Sequence, residues 1–307
     1  MVSCVCSKQT RNSGFGTNPF TTIQALISLD QYQLVDFGDR QKFERFGGIP
    51  VIRETPSVDG RRRSNDWPFD NCLRFRKDHG WQNGCQRPEP WLLGCGSFTL
   101  ELRCTPFGHL GVFVEQAANW EWIQSLDIDF RACRALNLFG YTGGTTLALA
   151  AMGCEVTHVD SAKNIVNWAR KNAALSELQD AKVRWIAEDA SRYVKREIKR
   201  DRNYQIIVLD PPSFGRGTRN EVWKLDRDLI PLLADLAELS DGLQALILSC
   251  HTPEFDAGRL EEMCRGQFAI RNGIGEPMGL AIQSQHGNEL QSGNCFRWSA
   301  SQPKTPQ

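Results

Sequence analysis

The chain has 307 residues, 41% hydrophobic and 23% charged, enough to build a sizeable core in about two domains. Lys and Arg number 36 and Asp and Glu number 36. That balance excludes a histone-like polybasic protein and leaves local basic patches as the means of meeting a nucleic acid. No basic-then-apolar leader opens the chain, and no apolar run approaches the roughly 20 residues that cross a bilayer. A globular cytoplasmic protein without membrane attachment is expected.

Residues 1–30 are polar and rich in Gly, Ser and Asn, the pattern of a flexible lead. From 31 to 115, short apolar runs at 33–37, 47–53 and 97–103 are separated by turn residues. The last of them alternates with period two, as a half-buried strand does. This span is predicted to be a small, mainly β domain and a candidate substrate-binding unit. Residues 117–126 suit a helix that joins it to a second domain. Beyond about 130, strand-like runs at 135–139, 155–159, 182–187, 205–209 and 244–249 alternate with helical stretches at 144–152, 161–177, 190–199 and 219–239. Continuous apolar strands separated by helices describe a parallel sheet covered on both faces. The expectation is an α/β, doubly wound, Rossmann-like domain over 116–307. The 11 cysteines are odd in number, and the close pair Cys4 and Cys6 lies in a polar stretch. No CxxC pair is present to hold zinc and the five histidines lack ligand spacing, so reduced thiols and no metal are expected.

In such sheets ligands bind at the carboxyl ends of the strands. The first strand runs into Leu138-Phe139-Gly140-Tyr141-Thr142-Gly143-Gly144, where three glycines allow a tight turn and close approach to a ligand. The second ends at Asp160, 20 residues beyond Gly140, the offset at which a carboxylate meets ribose hydroxyls. The spacing G-x-x-G-G is not the G-x-G-x-x-G that a pyrophosphate wants, so an oxidoreductase with a dinucleotide is the weaker option. S-adenosyl-L-methionine has no phosphate and fits the shorter loop. The third strand ends Glu188-Asp189-Ala190, where Asp189 serves as a helix N-cap, as an adenine acceptor, or both. The fourth ends Asp210-Pro211-Pro212-Ser213-Phe214-Gly215. Its carboxylate and carbonyls would meet the edge of a flat base with an exocyclic amine, and Phe214 would stack on it.

Taken together, LNLFGYTGG, HVD, AEDA and DPPSFG resemble the class I S-adenosylmethionine-dependent methyltransferases. More narrowly, the chain resembles the 23S rRNA cytosine-C5 methyltransferase family. LVDFG, FERFGG, GHLGVFVEQ with NW, and SGNCFRW extend the similarity over about 31–299. The resemblance implies that Phe139, Gly140, Tyr141, Thr142 and Gly143 hold the methionine part. Asp160 would then take the ribose and Asp189 with Ala190 the adenine, while Asp210 stands between cofactor and acceptor and Pro211, Pro212 and Phe214 contact the base. Many members of that family carry an N-terminal RNA-binding PUA domain. The first 30 residues are too few for one, which bears on ribosomal RNA targeting and not on methyl transfer.

Cytosine C5 accepts a methyl only after a nucleophile adds at C6, and Cys250, at the Ser-Cys position of the family, is the expected thiolate. An amine acceptor needs no such nucleophile, and Asp210 with the residues after it would then suffice. A non-catalytic nucleic-acid-binding protein on the same fold is the third reading. The basic segments Arg61-Arg62-Arg63 and Arg74-Phe75-Arg76-Lys77, with aromatics nearby, are the candidate contacts to RNA, ribosomal RNA being the substrate that the resemblance implies.

Overall fold

The computed structural model describes residues 26–217 and 222–301. Seven short strands come first. A five-stranded sheet follows chain order: β1 (Tyr32–Gly38), β2 (Gln41–Phe46), β3 (Ile49–Glu54), β4 (Leu73–Arg76) and β5 (Gly80–Asn83). The strands β6 (Leu92–Cys95) and β7 (Phe98–Glu101) form a separate hairpin. In β1 Tyr32 and Leu34 pack into one core, and a bulge between Leu34 and Asp36 shifts the register and leaves the buried Asp36 facing Trp67. Of the expected lead, residues 1–25 lie outside the described residues. The lead does not extend through residue 30, because Ile27 is already buried and the Leu26 N–H donates to Glu121 Oε1 at 2.9 Å.

Helix α1 (Ala117–Ser125) leads into the second sheet. There β8 (Arg134–Leu138), α2 (Gly144–Ala151), β9 (Glu155–Asp160), α3 (Lys163–Leu175), β10 (Val183–Ala187), α4 (Ala190–Ile198) and β11 (Ile206–Leu209) alternate as the sequence predicts. A short hairpin of β12 (Phe214–Arg216) and β13 (Val222–Lys224) precedes α5 (Leu225–Ala237), β14 (Ala245–Cys250) and α6 (Ala257–Gln267). Two long strands close the fold, β15 (Ile274–Gln283) and β16 (Glu289–Ser299). The sheet order is β10-β9-β8-β11-β14-β16-β15, parallel through β14, with the last two pairings, β14 to β16 and β16 to β15, antiparallel.

Alternation along the central strands sorts the core into two layers. Ile207 and Leu209 of β11 and Leu246 and Leu248 of β14 pack under α4, α5 and α6. Their neighbours Ile206, Val208, Ala245 and Ile247 pack with α1 and α2 on the other face. Helix α5 buries Leu229, Leu232, Leu233 and Leu236, the i, i+3, i+4, i+7 stripe that one face of a helix presents. The two sheets share a core, since Leu34 and Val51 of the first sheet cluster with Trp120, Leu147 and Ile282.

Candidate active site

The switch point of the large sheet lies between β8 and β11, where strand order reverses. A cavity opens there, lined among others by Phe139, Gly140, Tyr141, Thr142, Gln116 and Asp210. Its floor admits no extra atoms. A Cβ at Gly140 would lie 2.5 Å from the His158 ring, and one at Gly144 2.5 Å from Trp120. Gly143 caps α2 at φ 95°, a conformation that glycine adopts without penalty.

The loop itself is strained. Phe139 and Tyr141 sit at φ 56° and 49°, a region L-residues visit only when their surroundings impose it. Here the surroundings do so. Asp160 Oδ2 accepts from the Tyr141 N–H at 3.0 Å and Oδ1 from the Ala162 N–H at 2.9 Å. The Thr142 hydroxyl donates to the Gly111 carbonyl, and Asn172 Nδ2 donates to the Thr142 carbonyl at 2.9 Å. Beneath them His158 is buried against Thr146, and burial holds its imidazole neutral, with a pKa lowered to about 3.

Asp210 leaves β11 at the opposite lip. Gln116 Nε2 donates to its Oδ2 and to Ser249 Oγ, each at 3.0 Å. Oδ1 has no hydrogen-bond partner among the described residues. It faces His251, whose Nε2 is 3.6 Å away, while His251 Nδ1 lies 3.7 Å from Glu115 and 2.5 Å from the Ser292 carbonyl. Burial works against the histidine's charge, but Asp210, Glu115 and that carbonyl prevail and raise its pKa to about 10. A folded value above the ordinary 6.5 means that the imidazolium adds stability fully below pH 6.5 and loses it as pH rises through about 10. The stability gap between the wild type and His251→Gln is therefore expected to shrink steadily from pH 6.5 to 10. Urea unfolding at several pH values measures that gap, and a constant gap would refute the charged state.

Not all the expected site residues converge. Asp160 accepts from the loop's Tyr141 N–H and is not among the residues that line the cavity. Asp189 sits at the end of β10, one strand beyond, and caps α4 by accepting from the Arg192 N–H at 2.9 Å; Ala190 begins that helix, buried. Pro211 is buried and Pro212 exposed, its carbonyl accepting from Trp223 Nε1 at 2.7 Å, and the Trp223 ring packs 5.0 Å from Phe139. Phe214 is 51% exposed on β12 and does not line the cavity. Cys250 departs most from expectation. It is fully buried in the layer under α5 and α6, and burial pushes its thiol pKa up. Strand alternation explains the difference: Ser249, its neighbour, turns toward Gln116 on the site face, so Cys250 turns away. Sequence spacing alone does not point to Gln116, Glu115, Phe113 or Ser249. Phe113 stands 5.4 Å from Tyr141 and 5.5 Å from His251, ring to ring, and lines the cavity.

The two basic segments also meet. Asp36, buried in β1, accepts from the Arg63 and Ser64 N–H groups and from Trp67 Nε1, which folds the 61–67 loop over the sheet. The guanidinium groups of Arg62 and Arg74 then lie 5.2 and 5.0 Å from the Phe69 ring.

Residues 69–267 match the family model of the S-adenosylmethionine-dependent methyltransferases. The crystal structure of a SAM-dependent methyltransferase from Agrobacterium tumefaciens is 32% identical, with a TM-score of 0.81 over 88% of this chain and 91% of that one. A putative methyltransferase solved with SAH is 17% identical with a TM-score of 0.66, a likeness of fold. Among curated proteins, the ribosomal RNA large subunit methyltransferase K/L of Shewanella frigidimarina is 34% identical over 122 residues, 39% of this chain. That of Pseudomonas paraeruginosa is 29% identical over 189 residues, 61% of the chain. The matches span only 17% and 25% of those two proteins' lengths.

Proposed function

Because the chain belongs to the S-adenosylmethionine-dependent methyltransferase family, we propose that it transfers the methyl group to a nitrogen of an RNA base, with large-subunit ribosomal RNA as the acceptor. The glycine loop offers the close approach that the cofactor's amino-acid end requires, and Asp160 and Asp189 are the carboxylates assigned to its ribose and adenine. S-adenosylmethionine supplies an electrophilic methyl on a sulfonium, so an acceptor lone pair must lie in line with the S–C bond. One observation carries the choice of nitrogen: beside the cavity that the glycine loop lines, Asp210 keeps one carboxylate oxygen braced by Gln116 and the other without a hydrogen bond, its charge facing His251 Nε2 at 3.6 Å. That oxygen suits an N–H of the acceptor base. As the new N–C bond forms and the S–C bond breaks, the nitrogen's proton leaves to this carboxylate or to water.

The covalent route to cytosine C5 draws less support, since it needs a thiolate at the site and Cys250 is packed on the other side of its strand with a raised pKa. Ribosomal RNA as substrate is supported by the names of the curated relatives and by the paired arginines around Phe69, a geometry suited to phosphate and a stacked base.

Incubating the protein with methyl-labelled cofactor and separated RNA, DNA and protein fractions tests this reading. Label is expected in RNA, on a base nitrogen after nucleoside digestion, with a steep fall between low and moderate salt. Cys250→Ala is expected to retain transfer within about threefold, because Sγ touches no reacting group in this scheme. Loss of transfer in a folded Cys250→Ala protein, with label at cytosine C5, would restore the covalent route.

A further inference from the structure

A run of buried amides connects the antiparallel hairpin to the acceptor carboxylate. Arg297, on β16 and 2% exposed, donates from Nε to Asn119 Oδ1 at 2.8 Å. Asn119 Nδ2 donates to Gln116 Oε1 at 2.6 Å, and Gln116 Nε2 donates to Asp210 and Ser249. A side-chain amide can turn end over end with almost no change in shape, presenting either a donor or an acceptor. The guanidinium removes that freedom. It has only donors, so Asn119 must turn its oxygen to Arg297 and its NH2 to Gln116. Gln116 must then turn its oxygen back and its NH2 forward to Asp210. The polarity of the whole run is set at Arg297, a buried cation on an element that lies outside the cavity.

We propose that Gln116, oriented by Arg297 through Asn119, is the positioning residue that fixes the orientation of the Asp210 carboxylate toward the acceptor nitrogen. This role rests on the function proposed above. The other charged groups at Asp210 are His251, 3.6 Å away, and Glu115 beyond it, so Gln116 is the neutral donor that braces Oδ2 without adding charge.

Two isosteric variants test the polarity. In Asn119→Asp the new carboxylate pairs with Arg297 but offers Gln116 only oxygen. Gln116 then turns its NH2 away, and its oxygen faces Asp210. Gln116→Glu places a second carboxylate beside Asp210, and two like charges so close raise the apparent pKa of the pair. Transfer to the labelled RNA fraction at pH 7 is expected to fall on the order of 10- to 100-fold in each, with thermal midpoint and cofactor affinity near those of the wild type. For Gln116→Glu the ratio of variant to wild-type rate should climb as pH rises from 6 to 9. A merely structural defect gives no such climb.

If the wild type labels RNA and both variants match it in rate and pH profile, the positioning role fails alone. It also fails if rate and cofactor affinity fall in equal measure, because the site has then collapsed. If Asn119→Asp does not fold, the pH ratio of Gln116→Glu decides by itself. A wild type that labels no RNA overturns the proposed function beneath it.

Discussion

Asp210→Asn is expected to slow methyl transfer by about 10²-fold or more while leaving cofactor affinity within a few-fold of the wild type. The asparagine has the same shape and can still accept from Gln116 Nε2 through its oxygen, so the brace survives. The other atom changes from an oxygen that faces the His251 imidazolium at 3.6 Å to an NH2, which meets an incoming N–H donor with a donor and cannot take a proton. Loss of a positioned proton acceptor costs typically 10² to 10⁴ in rate. The substitution has a second signature. His251 owes much of its raised pKa to Asp210, so its proton should leave at lower pH in the variant, and the pH-dependent loss of stability should begin earlier. Initial rates on RNA, calorimetry with the cofactor and urea unfolding across pH check the three parts. An unchanged rate would remove Asp210 from the chemistry.

What the sequence made legible depended on how much of each signal was local. The central parallel strands stood out because burial on both faces writes a continuous apolar run, as in 205–209 and 244–249. The closing strands β15 and β16 carry no such run: Gly275, Pro277 and Gly279 interrupt one, and Ser292-Gly293-Asn294 the other. Helix α6 escaped for a related reason, as only Leu260 and Cys264 of it are buried. The stretch read as one helix from 219 contains strand β13 before α5 starts at Leu225. At the site, the glycine loop and the carboxylates at strand ends could be read from spacing, because a strand followed by a turn puts them on one edge whatever surrounds them. Gln116 could not. Its partner in the site lies 94 residues away, and only the path of the chain before α1 across the sheet edge brings the two together. The side to which Cys250 turns was a matter of parity. Placing the Ser249-Cys250 pair at the right edge does not say which of the two turns toward Gln116, and the hydrogen bond shows that Ser249 does.

Asp160→Ala is expected to weaken cofactor binding by about 100-fold, and Asp160→Asn by about 10-fold. The carboxylate accepts two backbone N–H groups, one from Tyr141 in the strained turn and one from Ala162 before α3. Hydrogen bonds to a charged acceptor contribute about 1.5–3 kcal/mol each. Alanine removes both, so nothing opposes relaxation of Phe139 and Tyr141 away from their positive φ, and the pocket must be rebuilt whenever the cofactor binds. Asparagine keeps one acceptor and sets its NH2 against the second N–H, which predicts the smaller loss. If Asp160 also meets the ribose, as the resemblance implies, the loss grows with it and never shrinks. The kinetic form of the defect separates it from that of Asp210. Raising the cofactor concentration should restore the rate of Asp160→Asn toward the wild-type value, since the acceptor side is intact, whereas no concentration should rescue Asp210→Asn. Titrating cofactor against transfer rate in both variants measures this directly. A rate in Asp160→Asn that stays low at saturation would mean that the turn it braces aligns the acceptor as well as holding the donor.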